Sequence, residues 1–401
     1  MNKETIRVIK SSVPVLESKG EEIVIAFYHH LLETHPELKN IFNRTNQKNL
    51  RQPRALATMV YQAAKYIDRL DTLLPAVKEV AEKHRSIGIK PDQYPIVGEN
   101  LLWAIKYVLK EGATDELLQA WAQAYGEIAD IFISVENGLR ENMIKKGGWK
   151  GFAPFTVEKI VQESDIVKSF YLSPKSEGLL PDYYPGQYIS IKVRVPNTPY
   201  TQIRQYSLSD APGGHYFRIS VKREEGRGNQ PEGLVSNYLH NQLRQGDILE
   251  VSAPAGDFSL RPSQKPVVFI SGGIGQTPLI AMVKHLVNHD PHKNITWIHS
   301  AKDPGKLAFF DEIKEIIDRA EGRLDAYYAL SQNVSRNGDI QKRGRIDEDW
   351  LKHVIQTTDA DYYFCGPLPF MKFIYTVLKS WNVPDSQVHY EFFGPKGALM
   401  A

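Results

Sequence analysis

Cysteine is nearly absent: Cys365 is the single one in 401 residues. One thiol cannot close an intramolecular disulfide, nor supply the four thiolates of an iron–sulfur cluster or a cysteine-rich zinc site. Any redox metal must therefore be held by other side chains. Net charge is almost absent too, with 49 Lys+Arg against 47 Asp+Glu. The chain lacks the basic field that draws phosphate backbones or anionic membranes, so nucleic acid is not an expected partner. No run of about 18 apolar residues occurs. The opening segment MNKETIRVIKSSVPVLESKG has no unbroken apolar core of the kind a signal peptide needs. These absences predict a cytoplasmic protein with no stable membrane anchor, and the length allows two or three domains.

Glycine and proline are scarce only at the start. Residues 1–148 hold 8 Gly and 6 Pro, whereas 149–401 hold 20 and 18, so the first part is expected to be helical and the rest rich in strands and turns. Ile6, Ile9, Val13 and Leu16 recur at steps of three or four, as do Leu73, Val77, Val80, Ala81 and His84. Further helices are expected over 20–34, 52–70, 94–110 and 114–143, with Pro53 opening its helix rather than interrupting it. The segment 145–151 (KKGGWKG) combines charge with three glycines before alternating strands begin, and marks a domain boundary. From 154, short strands separated by Pro/Gly turns predict an antiparallel barrel or sandwich. After Pro262, apolar strands alternate with helices at 277–289, 307–320, 347–356 and 368–381, which predicts a parallel α/β sheet.

Two motifs suit a bound dinucleotide. Ser271–Pro278 (SGGIGQTP) follows the strand PVVFI and opens a helix. Glycines let a backbone approach a pyrophosphate, and the helix N-terminus supplies N–H donors and a favourable dipole. Pro278 stands where the dinucleotide fingerprint has its third glycine, so these residues alone also fit an ordinary strand-to-helix turn. Arg204-Gln205-Tyr206-Ser207 lies on a predicted strand. An arginine can fork onto a diphosphate, a tyrosine offers a stacking face, and a serine both donates and accepts; alone, the motif equally fits a surface strand.

Taken in order, RQYS, Gly233–Ser236 (GLVS) at a helix start, GGIGQTP, Cys365–Pro367 (CGP) and Glu391–Pro395 (EFFGP) resemble the ferredoxin–NADP reductase-like superfamily over 152–401. The resemblance implies FAD on the barrel and NAD(P)H on the α/β part. By its pattern Arg204 and Gln205 belong to the FAD strand, Arg204 holding the diphosphate, while Tyr206 packs on the flavin and Ser207 reaches its N5 region. Gln187 and Tyr188 line the same site, and Ser236 meets the diphosphate. Gly272, Gly273, Ile274, Gly275, Gln276 and Thr277 receive the nicotinamide dinucleotide, with Cys365 and Gly366 beside the nicotinamide. Glu391, Phe392, Phe393, Gly394 and Pro395 lie over the flavin. Outside that context Cys365 is a small buried hydrophobe. Lys302, after ITWIHSA, fits a 2′-phosphate partner or a surface charge, which leaves NADH against NADPH open.

A flavin accepts two electrons together and releases them singly, so the electron acceptor becomes the question. The helical region has four histidines, His29, His30, His35 and His84. His84 shares an apolar face with Val77, Val80 and Ala81, while Glu79, Glu82 and Lys83 are expected to point elsewhere. That pattern fits an iron ligand and fits a satisfied core histidine; His30 shares a face with Ile23 and Phe27. The segments Ala26–Tyr28, Pro36–Phe42, Asn46-Gln47 with Gln52, Lys83-His84, Ile89–Tyr94 and Trp121–Tyr125 together resemble the globin domain of bacterial flavohaemoglobins, and the match runs on through the reductase region.

This resemblance implies a multidomain chain: an all-α globin fold at 1–140, an antiparallel β-barrel FAD domain at 152–262, and an α/β parallel-sheet NAD(P) domain at 263–401. It implies haem b with His84 as the iron ligand, Phe42 packing on the haem, Tyr28 and Gln52 on the distal side, and Tyr94 and Glu136 against His84. Lys83 and Glu391 would tune redox potential. The activity implied is a nitric oxide dioxygenase: NAD(P)H reduces FAD, FAD reduces the haem iron, and O₂ and NO become nitrate, with no obligate protein partner. Two other readings stay open, a gas-binding globin with a maintenance reductase and a flavin reductase serving a separate acceptor.

Overall fold

A computed structural model describes residues 1–42, 51–175, 180–226, 228, 231–332 and 340–394. The described chain divides into two compact units, Met1–Phe152 with Lys192–Arg204, and Ala153–Ile191 with Gln205–Phe393.

In the first unit the sparsity of breakers lets long helices form: α1 (Lys3–Ser11), α2 (Val13–Thr34), α3 (Arg51–Lys65), α4 (Leu74–Ile87), α5 (Gln93–Leu109) and α6 (Asp115–Lys145). Side-chain caps start two of them, Asn2 accepting from the Thr5 N–H and Thr114 from the Leu117 N–H. Pro53 sits in the first turn of α3, as expected. The helix expected over 52–70 stops at Lys65, and Arg69 leaves helical backbone at φ −154° before a short turn at Leu70–Leu73. Ile9, Phe27, Leu31, Ala104, Trp121 and Ala124 form the buried centre. Gly98 lets α5 approach α6: a Cβ there would sit 2.6 Å from the Tyr125 ring.

Six strands form the first sheet: β1 (Phe152–Ser164), β2 (Val167–Pro174), β3 (Tyr188–Val193), β4 (Gln202–Ser207), β5 (Phe217–Lys222) and β6 (Ile248–Ser252), in the order β4-β3-β6-β1-β2-β5. Its pairs β1/β2 and β2/β5 are antiparallel. An antiparallel bridge from Leu208, just past β4, to Ile219 of β5 joins the two edge strands, so the barrel expectation holds over the sandwich. A short helix, α7 (Leu234–Asn241), follows β5.

The second sheet holds β7 (Val267–Gly272), β8 (Ile295–Ala301), β9 (Leu324–Leu330), β10 (Lys342–Arg343), β11 (Asp361–Cys365) and β12 (Val388–Glu391) in the order β10-β9-β8-β7-β11-β12, and the paired strands run parallel. Helices α8 (Gln276–His289), α9 (Phe310–Arg319), α10 (Glu348–Val354) and α11 (Leu368–Ser380) alternate with the strands. The helix expected from 307 begins at Phe310, because Phe309 adopts left-handed backbone at φ +60° after a turn at Pro304–Lys306. Strand β7 pairs with β8 on one side and β11 on the other, so the chain order reverses between β7 and β11. In open α/β sheets a crevice for ligands lies at the carboxyl ends of such strands.

Candidate functional site

In the helical unit, α4 ends on Gly88, whose φ of +79° closes the helix and leaves His84 in the last turn. The His84 Nδ1 lies 2.9 Å from Glu136 Oε1 of α6 and 3.2 Å from the Tyr94 hydroxyl at the start of α5. Tyr94 also donates to Glu136 Oε1, at 2.5 Å. A carboxylate only accepts, so Nδ1 carries the ring hydrogen and Nε2 presents a lone pair. Nε2 has no protein partner among the described residues, and the His84 side chain is 30% exposed whereas Glu136 is fully buried. An imidazole held by one nitrogen and open at the other is the donor that haem iron takes, and the carboxylate behind it makes it more electron-donating. Arg140, one helical turn past Glu136, binds the second carboxylate oxygen at 3.0 Å, and Tyr125 holds the Tyr94 carbonyl at 2.7 Å. Tyr125 lies in one of the globin-like segments but has no role assigned by the sequence, and for Arg140 the i,i+4 spacing from Glu136 is the signal the sequence offers.

Tyr28 of α2 packs edge-on against Phe42 with ring centroids 5.6 Å apart. Burial pushes the Tyr28 hydroxyl pKa up, against a weaker opposing effect of its hydrogen bond with Gln52. The hydroxyl therefore keeps its proton and stays a donor. Asn46 and Gln47 lie outside the described residues. Lys83 points outward as expected. Glu82 does not: it is 8% exposed and pairs at 2.6 Å with the equally buried Arg85, because an ion pair one turn apart lets both enter the packed face. His30 does not stand on the core face alone; it stacks on Trp103 at 3.7 Å and bonds Asn100 through Nδ1.

On β4, Arg204, Gln205 and Tyr206 are half-buried in succession and Ser207 is buried. Gln187 is tied at both ends to backbone, accepting from the Tyr184 N–H and donating to the Gly256 carbonyl. Ser236 accepts from the Glu224 N–H and donates to the Gly233 carbonyl, at 3.1 Å each, which fixes the start of α7. Tyr188 is half-buried, and its backbone pairs with Ala255.

The glycine turn sits at the β7/β11 reversal. Gly272 ends β7, Gly273 takes φ +55°, Ile274 accepts the Thr277 hydroxyl at its carbonyl, and Gln276 opens α8. A Cβ on Gly275 would collide with the Cys365 carbonyl, so only glycine lets the turn touch β11. Strand register sets Glu391, Cys365, Ser271 and His299 in one row across β12, β11, β7 and β8. Burial, and next to it the Glu391 charge, pushes the Cys365 thiol pKa well up, so it is a neutral, packed group beside Gly366. Phe392 packs into the α/β core while Phe393 is 46% exposed; Gly394 ends the described chain and Pro395 lies beyond it. His299, which no motif in the sequence marks, holds Ser271 Oγ at 2.8 Å; burial pushes its pKa down to about 3 and keeps it neutral.

Among the described residues no group of three or more His, Cys, Asp or Glu gathers to hold a metal. No helix among them is long and apolar enough to cross a membrane. Family models match in the order the folds predict: Globin over 25–132, Oxidoreductase FAD-binding domain over 154–260 and Oxidoreductase NAD-binding domain over 269–376. A flavohemoprotein of Halalkalibacterium halodurans is 48% identical over 406 residues, covering 100% of this chain and 98% of its own.

The chain belongs to the flavohemoprotein family.

As a flavohemoprotein it joins a globin to oxidoreductase FAD-binding and NAD-binding domains in one polypeptide. The crystal structure of a flavohemoglobin from Malassezia yamatoensis with bound FAD and heme is similar at 27% identity and a TM-score of 0.85, covering 98% of this chain and 100% of that one. The flavohem-like FAD/NAD binding domain of a nitric oxide dioxygenase from Vibrio cholerae is 36% identical with a TM-score of 0.56, over 61% of this chain and 99% of that one.

Proposed function

We propose that this flavohemoprotein is an NAD(P)H-dependent nitric oxide dioxygenase, with domains at 1–140, 152–262 and 263–401, acting in the cytoplasm without an obligate protein partner. The observation that carries the reading is His84, fixed through Nδ1 by Glu136 and open at Nε2, in the same chain as a complete FAD- and NAD-binding oxidoreductase. When bound, FAD and haem supply the redox chemistry, the flavin splitting an electron pair from NAD(P)H into single electrons and the iron offering a site for O₂. Overall, two NO and two O₂ with one NAD(P)H give two nitrates, NAD(P)⁺ and a proton.

The chain's own residues divide the remaining work. His84 would hold the iron through Nε2, with Glu136 accepting its ring hydrogen and Tyr94 and Arg140 steadying that carboxylate. Tyr28, kept protonated by burial, would donate to oxygen, with Gln52 orienting the hydroxyl and Phe42 excluding water. Arg204 would pair the FAD diphosphate, Tyr206 and Ser207 would meet the flavin, and Ser236 would keep the start of α7 open to phosphate. Gly272–Thr277 would receive the nicotinamide dinucleotide at the N-terminus of α8, with Cys365 and Gly366 alongside. Glu391, Phe392 and Phe393 would line the flavin, and Lys83 and Glu391 would shift redox potential as exposed and half-buried charges.

The test is consumption of NO by purified holoprotein under O₂ and NAD(P)H, with nitrate measured as product. Tyr28→Phe is expected to lower that turnover by roughly 100- to 1000-fold, the cost of one lost donor, while haem absorbance and flavin bleaching by NADH stay as in wild type. NADH consumption without nitrate would exclude the dioxygenase reading.

A further inference from the structure

Four charged side chains meet inside the second unit, Arg218 and Asp210 buried and Lys284 and Glu312 half-buried, and none of them belongs to the candidate sites described above. Arg218 of β5 is 3% exposed and directs one guanidinium nitrogen to both oxygens of Glu312 on α9, at 3.0 and 2.9 Å. Its Nε is 3.8 Å from Asp210, which follows β4. Lys284 of α8 pairs with that same Asp210 and, at 2.9 Å, with Glu312. Signs therefore alternate around a closed ring, Arg218, Asp210, Lys284, Glu312, with no net charge.

The two buried members are held from outside the ring as well. Arg218 also donates to the Ser209 carbonyl, and Asp210 accepts from the Tyr216 hydroxyl at 3.1 Å and the Ala211 N–H at 2.8 Å. The guanidinium lies 5.2 Å over the ring of Phe309, the residue at φ +60° that immediately precedes α9. A bulky side chain in left-handed backbone persists where its surroundings hold it, and here the held residue aims Glu312 at the barrel. Burial alone would raise the Asp210 carboxyl pKa, but Arg218 and Lys284 overcome this and hold it below its ordinary value.

The placement of the ring along the chain gives it meaning. Asp210 stands three residues past Ser207 of the RQYS strand, and Lys284 seven residues past Thr277 on the helix that the glycine turn opens. The ring thus ties together the two segments that carry the dinucleotide motifs. Buried ion pairs are weak contributors to net stability, yet they penalise every misaligned arrangement, because a displaced partner leaves a charge buried alone.

We propose that Arg218, Asp210, Lys284 and Glu312 are positioning residues that lock the barrel to the α/β layer and so set the juxtaposition of FAD and nicotinamide dinucleotide for electron transfer. This rests on the reductase half of the proposed function and not on the chemistry of NO.

The test uses full-length holoprotein with Lys284→Met, Glu312→Gln, Lys284→Arg and the exchange Lys284→Glu/Glu312→Lys. Single-turnover bleaching of the flavin by NADH is followed without O₂, alongside NADH affinity, and backbone hydrogen exchange over 304–314 is followed in the same proteins. Lys284→Met and Glu312→Gln are expected to slow bleaching about tenfold with NADH affinity changed less than about threefold, and to speed exchange over 304–314. Lys284→Arg, which keeps the charge, is expected to retain the wild-type rate and exchange. The exchanged pair preserves a Lys–Glu contact but breaks the alternation, setting Lys beside Arg218 and Glu beside Asp210, and is expected to fall below either single variant. Wild-type bleaching and exchange in the Met and Gln variants, or full rescue by the exchanged pair, would overturn the proposal. Absence of bleaching in the wild type itself would instead defeat the reductase reading.

Discussion

At the scale of single residues, burial decides which groups carry charge. His299 shows this most plainly: it bonds Ser271, its buried Nε2 has no partner among the described residues, and its pKa is pushed down to about 3 from an ordinary 6.5. The unfolded chain takes up the proton below 6.5 and the folded chain does not. Stability is therefore whole above pH 6.5 and falls as pH drops. By about pH 5 the loss attributable to this one histidine is roughly 2 kcal/mol. His299→Gln should flatten that part of the profile, as measured by denaturant unfolding at pH 8 and pH 5; parallel wild-type and variant profiles would count against it. Cys365 was readable in the sequence as the lone thiol, whereas its neutrality was not, since that follows from contact with a strand 94 positions earlier in the sheet register, Ser271, and from Glu391 on the other side.

Elements were legible where pattern and length agreed. The helical faces around Ile9 and Val77, the barrel strands and the α/β alternation all follow periods that one-dimensional spacing reveals. Departures occur where a residue answers to a neighbour distant in sequence. Helix α9 starts late because Phe309 is held under Arg218, and Glu82 turns inward because Arg85 neutralises it. Two glycines make the same point with opposite consequences. Gly98→Ala forces a methyl group into the Tyr125 ring at the α5–α6 crossing, and thermal or denaturant unfolding should show a loss of about 1–3 kcal/mol. Gly275→Ala drives the glycine turn from the Cys365 carbonyl. Its expected effect is at least a tenfold loss of NADH affinity with unchanged flavin and haem absorbance, readable by titration.

For the molecule as a whole, the iron-ligand candidate and the glycine turn fall in different compact units. His84→Ala should accordingly abolish the haem absorbance band and NO turnover while NADH still bleaches the flavin at close to the wild-type rate. Loss of both signals together would show that the units do not fold separately. Order of domains, fold class and the identity of His84 as a candidate were determined by the sequence, because helix and strand periods, breaker density and short motifs are local properties of the chain. Tertiary structure alone decided that Nδ1 of His84 is taken and Nε2 is open, since Glu136 lies 52 residues away, and that Arg218 meets Glu312 across 94 residues. Those facts depend on long-range packing that brings a partner to one buried charge, Glu136 in the first case and Arg218 in the second, and desolvation makes the choice of partner strict in a way that spacing along the chain cannot record.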